Sequence, residues 1–335
     1  NVSIGFDFLT LKPEINGNIQ MLLQGKDASI KIVSTNADYI ISWGDGTTEN
    51  ALGDGEKTYT HTYSDDGYYQ VEVQNSSVVT SAIGNATCLI AYWDIGDSKV
   101  NNITFNSYSN LRFFGNVFKN DIDRTDVSGL FQSCSKLNPI DLTPLAGLVN
   151  VTNASNMLAY HGELSNIDLT PLTGWVNVTN ASGMLTGYRY PEAIDLTPLA
   201  GWVNVTNATS FFSYSSLKSV DLTPLAGWVN VTSVTSFFYY CSGLLSIDLT
   251  VFTKWSIVYS SSLIGRCRAL TFISILDTPP FCLAFEALAN DSNSCPIYVP
   301  DDAVDTYKTA TNWSAYADRI KPMSDFATDF PNETV

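Results

Sequence analysis

Five aspartates stand at one place in a recurring phrase: Asp141, Asp168, Asp195, Asp221 and Asp248. On neighbouring strands such carboxylates would lie about 4.8 Å apart. Like charges that close repel, so the row needs compensation from hydrogen bonds to nearby threonines, raised pKa values or bound cations. A solvated, hydrogen-bonded edge is the expected solution. A second set is aromatic: Tyr188, Tyr190, Tyr214, Tyr239 and Tyr240 gather where the repeats turn. Tyrosines supply stacking area and a hydroxyl together, so this edge is expected to be the better ligand surface. The acidic row is the competing surface, suited to a basic partner. Catalytic groups are scarce. The only histidines are His61 and His161, far apart in the chain. No nucleophile elbow, HExxH helix, P-loop or dinucleotide fingerprint occurs, and the chain is read as a non-enzyme. None of the six cysteines forms a CxxC pair, so neither a metal site nor a cofactor is expected.

The element that must position these residues is a repeat. Ile140-Asp141-Leu142-Thr143-Pro144 returns, with small changes, at Ile167, Ile194, Val220 and Ile247, so the period is nearly constant. A fixed period of this length is the signature of a solenoid, in which stacked units share a core that no single unit can bury. In a strand, Ile140 and Leu142 point inward while Asp141 and Thr143 point out. Beyond it, Leu142, Leu145, Leu148, Val151, Ala154 and Met157 recur at every third position, a spacing that suits a turn-rich coil and does not suit a long α-helix. One parallel strand per coil is predicted, about seven in all, from near Leu89 to near Ile273.

Composition narrows the partners. The chain has 335 residues, 45% of them hydrophobic and only 15% charged, with a net charge of −16. Nucleic acid and anionic membranes are excluded as partners, since both require clustered Lys and Arg. No apolar run is long enough to span a membrane. The chain opens at Asn1 without a secretion-signal pattern and is expected to be a mature or trimmed form, monomeric in solution.

Residues 1–85 read as short strands separated by turns, the pattern of a β-sandwich. Trp43-Gly44-Asp45-Gly46-Thr47, His61-Thr62-Tyr63 and Gly67-Tyr68-Tyr69-Gln70-Val71-Glu72-Val73 resemble the polycystic-kidney-disease (PKD) repeat, an immunoglobulin-like module. Residues 86–276 form the repeat region. Its opening Leu/Phe-x-x-Cys-Ser-x-Leu, as in Leu130–Leu137 and Phe237–Leu244, followed by Ile-Asp-Leu-Thr-Pro-Leu, resembles the BspA-like leucine-rich repeats of bacterial surface proteins. Residues 277–325 are similar to the closing cap of the same proteins, through Ile297-Tyr298-Val299-Pro300, Tyr307-Lys308 and Trp313 to Ile320. Residues 326–335 are expected to be a loose tail.

Three further ladders follow from the period. Trp175, Trp202, Trp228 and Trp255 are expected to be a buried stack, with Leu148 in the first slot; exposed, they would be a sugar-stacking platform. Asn150, Asn177, Asn204 and Asn230, with Asn153, Asn180 and Asn207, are read as ladder geometry satisfying turn backbone. Cys134, Cys241 and Cys267 are expected to be buried free thiols, with His161 in the same slot, while Cys282 and Cys295 have a spacing that leaves pairing open. The resemblance implies an extracellular or cell-surface binding protein whose solenoid contacts a host or microbial protein or glycan. A structural spacer is the alternative, and an accessory module of a carbohydrate-active enzyme is a third reading.

Overall fold

The computed structural model describes residues 19–74, 79–84, 86–94, 103–115, 118, 121–161, 167–189, 194–278, 281, 283, 287–288 and 295–333. The chain is β-rich with few helices. Among the described residues one sheet has seven strands and a second has four.

The first sheet begins with β1 (Ile19–Gln24), β2 (Asp27–Ser42), β3 (Thr48–Thr62), β4 (Tyr68–Gln74) and β5 (Val79–Gly84). β2 pairs with β3 along its length, with β5 over Ile30–Ser34 and with β4 over Ile40–Ser42. The expected strands are present, but their hydrogen bonds join them into one sheet. The turn between β2 and β3 explains its glycine. Gly44 has φ +84°, and a Cβ there would lie 2.5 Å from the Gln70 carbonyl oxygen. Asp45 anchors the turn by accepting from the Thr47 amide at 2.9 Å and from His61 Nε2 at 2.8 Å. His61 stacks on Trp43, and the buried Tyr63 hydroxyl donates to the Trp43 carbonyl at 2.8 Å.

The sheet does not stop at residue 85. β6 (Leu89–Asp94) pairs antiparallel with β1, and β7 (Phe113–Gly115) pairs parallel with β6. One hydrophobic cluster accordingly runs from Ile19 in β1 to Ile320 near the C-terminus. Arg124 sits under this transition. Its Nη1 donates to the Ile103 carbonyl and its Nε to the Asp126 carbonyl, both at 2.7 Å, with Asp121 3.4 Å away.

Past β7 the repeats lie side by side. Parallel bridges run Asp126–Asn153–Asn180–Asn207–Ser233–Tyr259, and each next backbone amide donates across in turn, as Ala154 does to Asn180 and Ala181 to Asn207. The inward series is as expected: Leu142, Leu145, Leu148, Val151, Ala154 and Met157 are all at most 1% exposed. The predicted row of seven strands is corrected. Ile140–Leu142, Ile167–Leu169, Ile194–Leu196 and Val220–Leu222 are not strands, and coil-to-coil pairing instead follows the Asn153 line. Each leucine that ends the phrase has helical dihedrals and leads into a 3₁₀ turn, Thr143–Leu145, Thr170–Leu172, Thr197–Leu199 or Thr223–Gly227, with proline in its first turn. Of the five phrases, only the one that carries Val251 in the proline position includes a strand, β8 (Ser246–Asp248), paired with β9 (Phe272–Ser274).

The closing segment adds β10 (Ile297–Val299) and β11 (Ile320–Pro322) in parallel to β9, with α1 (Val304–Thr309) between them. The expected loose tail is corrected over its first half. α2 (Phe326–Asp329) buries Phe326 against Phe272 and Tyr298, with Phe330 beside them, and Lys321 pairs with Asp329 at 2.7 Å. The apolar faces of β9 and β10 are what hold it there. No helix among the described residues is long and apolar enough to cross a membrane.

Candidate functional site

The acidic row is exposed along most of its length, and its carboxylates are occupied locally. In each repeat the Asp Oδ1 accepts the amide of the threonine two residues on, Thr143, Thr170, Thr197, Thr223 or Thr250, at 2.8–2.9 Å. This bond starts the 3₁₀ turn, as side-chain oxygens of Asp commonly do. The threonine hydrogen bonds hold Asp168 and Asp195 below the usual carboxylate range. The row is therefore the hydrogen-bonded edge anticipated from sequence, with a turn-forming role that needs no ligand.

The tyrosine edge is only partly assembled. Tyr214 lies 5.3 Å from Tyr240, stacked, and 5.7 Å from Tyr239, edge-on. Tyr214 and Tyr240 are exposed and Tyr239 is half-buried. Tyr190 lies outside the described residues. Tyr188 is corrected: it is 1% exposed and cannot touch a ligand. Its register explains this. Tyr188 stands one period after His161, in the inward column of Cys134, His161, Ser215, Cys241 and Cys267, all buried. The outward neighbours, Tyr160, Tyr214 and Tyr240, have positive φ of 54°, 59° and 62°, which turns the chain so that adjacent residues face opposite ways.

That inward column carries sulfur and one imidazole. Cys134, Cys241 and Cys267 are free and donate to the carbonyls of Phe105, Phe212 and Phe238 at 2.9–3.1 Å. Burial pushes the Cys134 thiol up to about 12, so it is inert. Cys295 is a buried thiol whose sulfur accepts from Arg319; Cys282 lies outside the described residues. His161 is 1% exposed, and neither ring nitrogen has a hydrogen-bond partner. Burial depresses its pKa to about 4. The unfolded chain therefore takes up this proton first as pH falls below about 6.5, while the folded chain resists until about 4. Stability is expected to fall across that window by about 3 kcal/mol. His161→Cys, the residue used in the same column elsewhere, should abolish this acid sensitivity. Urea titrations of both proteins between pH 7 and 4 check it; parallel losses would refute it.

The tryptophans are buried as expected. Trp175, Trp202, Trp228 and Trp255 stack with centroids 5.9, 6.3 and 6.1 Å apart. Each indole donates to a leucine carbonyl of the preceding repeat: Leu145, Leu172, Leu199 and Leu225. They are unavailable as a sugar platform.

A further concavity among the described residues lies elsewhere. An open groove of about 680 Å³ runs along five successive repeats, from Asp123 and Thr125 through Asn150 and Thr152 to Asn230. The sequence Val-Asn-Val-Thr places it: the second valine of each phrase points in, while the first valine, the asparagine and the threonine face out. Asn150, Asn177, Asn204 and Asn230 each donate Nδ2 to the carbonyl of Ile122, Val149, Val176 or Val203 at 2.9–3.2 Å. Thr152, Thr179, Thr206 and Thr232 each donate Oγ1 to a threonine carbonyl one repeat back at 3.2 Å. Beside them Val149, Val176, Val203 and Val229 are 44–48% exposed and form a ridge. Sequence reasoning recognises these asparagines as a ladder but not as the lining of a groove. The signal that could have found it is the pairing of outward Asn and outward Thr around one inward valine in every repeat.

The chain matches no protein-family model and no curated protein.

Proposed function

We propose that this chain is a non-enzymatic binding module of a secreted or cell-surface bacterial protein. In this reading the repeats form a leucine-rich-repeat solenoid of BspA-like kind, preceded by a PKD-like unit and closed by an α/β cap. The observation that carries it is the groove, where three successive repeats set the same asparagine and threonine in register on one face, with Thr125 and Asn230 continuing the rows at the ends. Such repetition suits an extended protein or glycan better than a small substrate. The two histidines support a non-catalytic role: His161 is sealed in the core and His61 is tied to Asp45 in the β2–β3 turn.

The test is an array of glycans and extracellular-matrix proteins probed with the chain. Saturable binding at or below tens of micromolar is expected. No binding at that level would favour a structural spacer, a reading that draws on the hydrophobic cluster running almost the length of the chain.

A further inference from the structure

Resting on that reading, we propose that the Asn–Thr groove binds an extended, neutral, β-linked polysaccharide, one sugar ring per repeat. Three observations carry this, and each removes a competing ligand class.

The first is polarity. Each groove asparagine uses one Nδ2 hydrogen on the preceding repeat, as Asn177 does on Val149. An amide has two such hydrogens and an acceptor oxygen. One N–H and Oδ1 thus remain for a ligand in every repeat. Each threonine gives its hydroxyl hydrogen to the preceding repeat, as Thr179 does to Thr152, and keeps its lone pairs. The groove therefore offers a neutral row of one donor and several acceptors per repeat. Sugar hydroxyls, which donate and accept at once, complement it.

Charge is the second. Among the described residues Asp123 is the only ionisable one lining the groove, and no Lys or Arg does. Phosphate- and sulfate-bearing polymers have nothing to pair with there, and a chain of net charge −16 repels them. A basic peptide would find one carboxylate at one end.

The third is period. Neighbouring repeats paired through parallel bridges are about 4.8 Å apart. A bound β-strand peptide advances about 3.3 Å per residue, so its side chains fall out of step with the row within two repeats. A pyranose in an extended β-linked chain advances by close to one strand spacing and stays in step. Successive rings in such chains are flipped, but each ring carries hydroxyls on both edges, so every repeat still meets one. Val176 and Val203, exposed next to Asn177 and Asn204 in sequence, put apolar surface beside the groove that ring C–H faces can cover.

The experiment is calorimetric titration of the full chain with cellohexaose and chitohexaose, with α-linked dextran as the control polymer. At least one β-linked hexamer should bind and dextran should not. Thr179→Lys with Thr206→Lys places two long cationic side chains in the groove and should weaken binding at least tenfold. Val176→Arg with Val203→Arg, on the exposed ridge, repeats the test should the first pair not fold. Asp168→Asn with Asp195→Asn, on the acidic row, should leave affinity unchanged. If neither hexamer binds while the array returns another ligand, the polysaccharide assignment is wrong and the binding reading stands. If a hexamer binds the wild type and the groove variants equally, the groove assignment is wrong. If nothing binds in either experiment, both fall together.

Discussion

Trp202→Ala is expected to destabilise the chain by about 3–5 kcal/mol, the range for removing a buried aromatic from a packed core. Trp202 is fully buried between Trp175 and Trp228, and its indole donates to the Leu172 carbonyl at 3.1 Å. Truncation opens a cavity in the middle of the column and removes one of the two donors to that carbonyl, which keeps the Trp175 amide at 3.0 Å. The lost hydrogen bond contributes about 0.5–1.5 kcal/mol of this, and the cavity the rest. Trp202→Phe keeps a buried six-membered ring while losing the N–H and the fused five-membered ring, so it leaves a smaller cavity than Trp202→Ala and should cost less. The first slot of the column holds Leu148, also fully buried, so a smaller side chain is accommodated at the end of the stack but has no precedent inside it. Equilibrium urea unfolding of the three proteins measures this. A loss below about 1 kcal/mol for Trp202→Ala would mean that the column is loosely packed.

The second large effect is at the junction. Arg124→Ala should cost about 3–5 kcal/mol, because it removes one partner of a buried ion pair. The Arg124 and Asp121 side chains are only 6% and 8% exposed. Arg124 also holds two carbonyls, of Ile103 and Asp126, on both sides of the step from the first sheet into the repeats. Its guanidinium lies over the Phe118 ring at 5.6 Å. Arg124→Lys should recover little, since an ammonium cannot reproduce the planar fork that reaches two carbonyls at once. Chemical denaturation followed by fluorescence reads the loss. Equal stability of Arg124→Lys and wild type would show that charge alone matters there.

What can be read from the sequence is what the period controls. The inward positions from Leu142 to Met157, the tryptophan column, the asparagine ladders and the aspartates bonded to threonine amides all follow from one residue being set over the next. Where two rules compete, reading fails. Ile-Asp-Leu has a strand's alternation, yet Thr-Pro beyond it and the aspartate bonded to the threonine amide draw the backbone into a 3₁₀ turn. Strand pairing returns only before Val251, where the proline is missing. Tyr188 is misplaced when aromatic clustering is weighed over register. One period back from it stands His161, which puts Tyr188 in the core. The positive φ of Tyr160, Tyr214 and Tyr240 has no marker in residue type, since glycine occupies that column only at Gly187. The groove escapes recognition because its residues are already accounted for as ladder hydrogen bonds. They make those bonds and still keep donors and acceptors to spare. The ordered residues 326–329 are missed because a short terminal segment carries no periodicity. What fixes them is burial of Phe326 on a sheet whose free face is not visible in sequence.

The proposed solenoid requires repeat units that are interchangeable with their neighbours and stacked on them in register. Deleting residues 169–195 puts this to the test. The cut removes one whole period and joins Asp168 to Leu196, which restores the phrase Ile-Asp-Leu-Thr-Pro. In a stack whose units contact only their neighbours, such a chain should fold, unfold cooperatively in urea and keep its circular dichroism per residue. Deleting residues 169–181, about half a period, should give an unfolded or aggregated chain, because the shortened coil at the cut can no longer register with both of its neighbours. If the whole-period deletion behaves like the half-period one, the repeats are not equivalent stacked units.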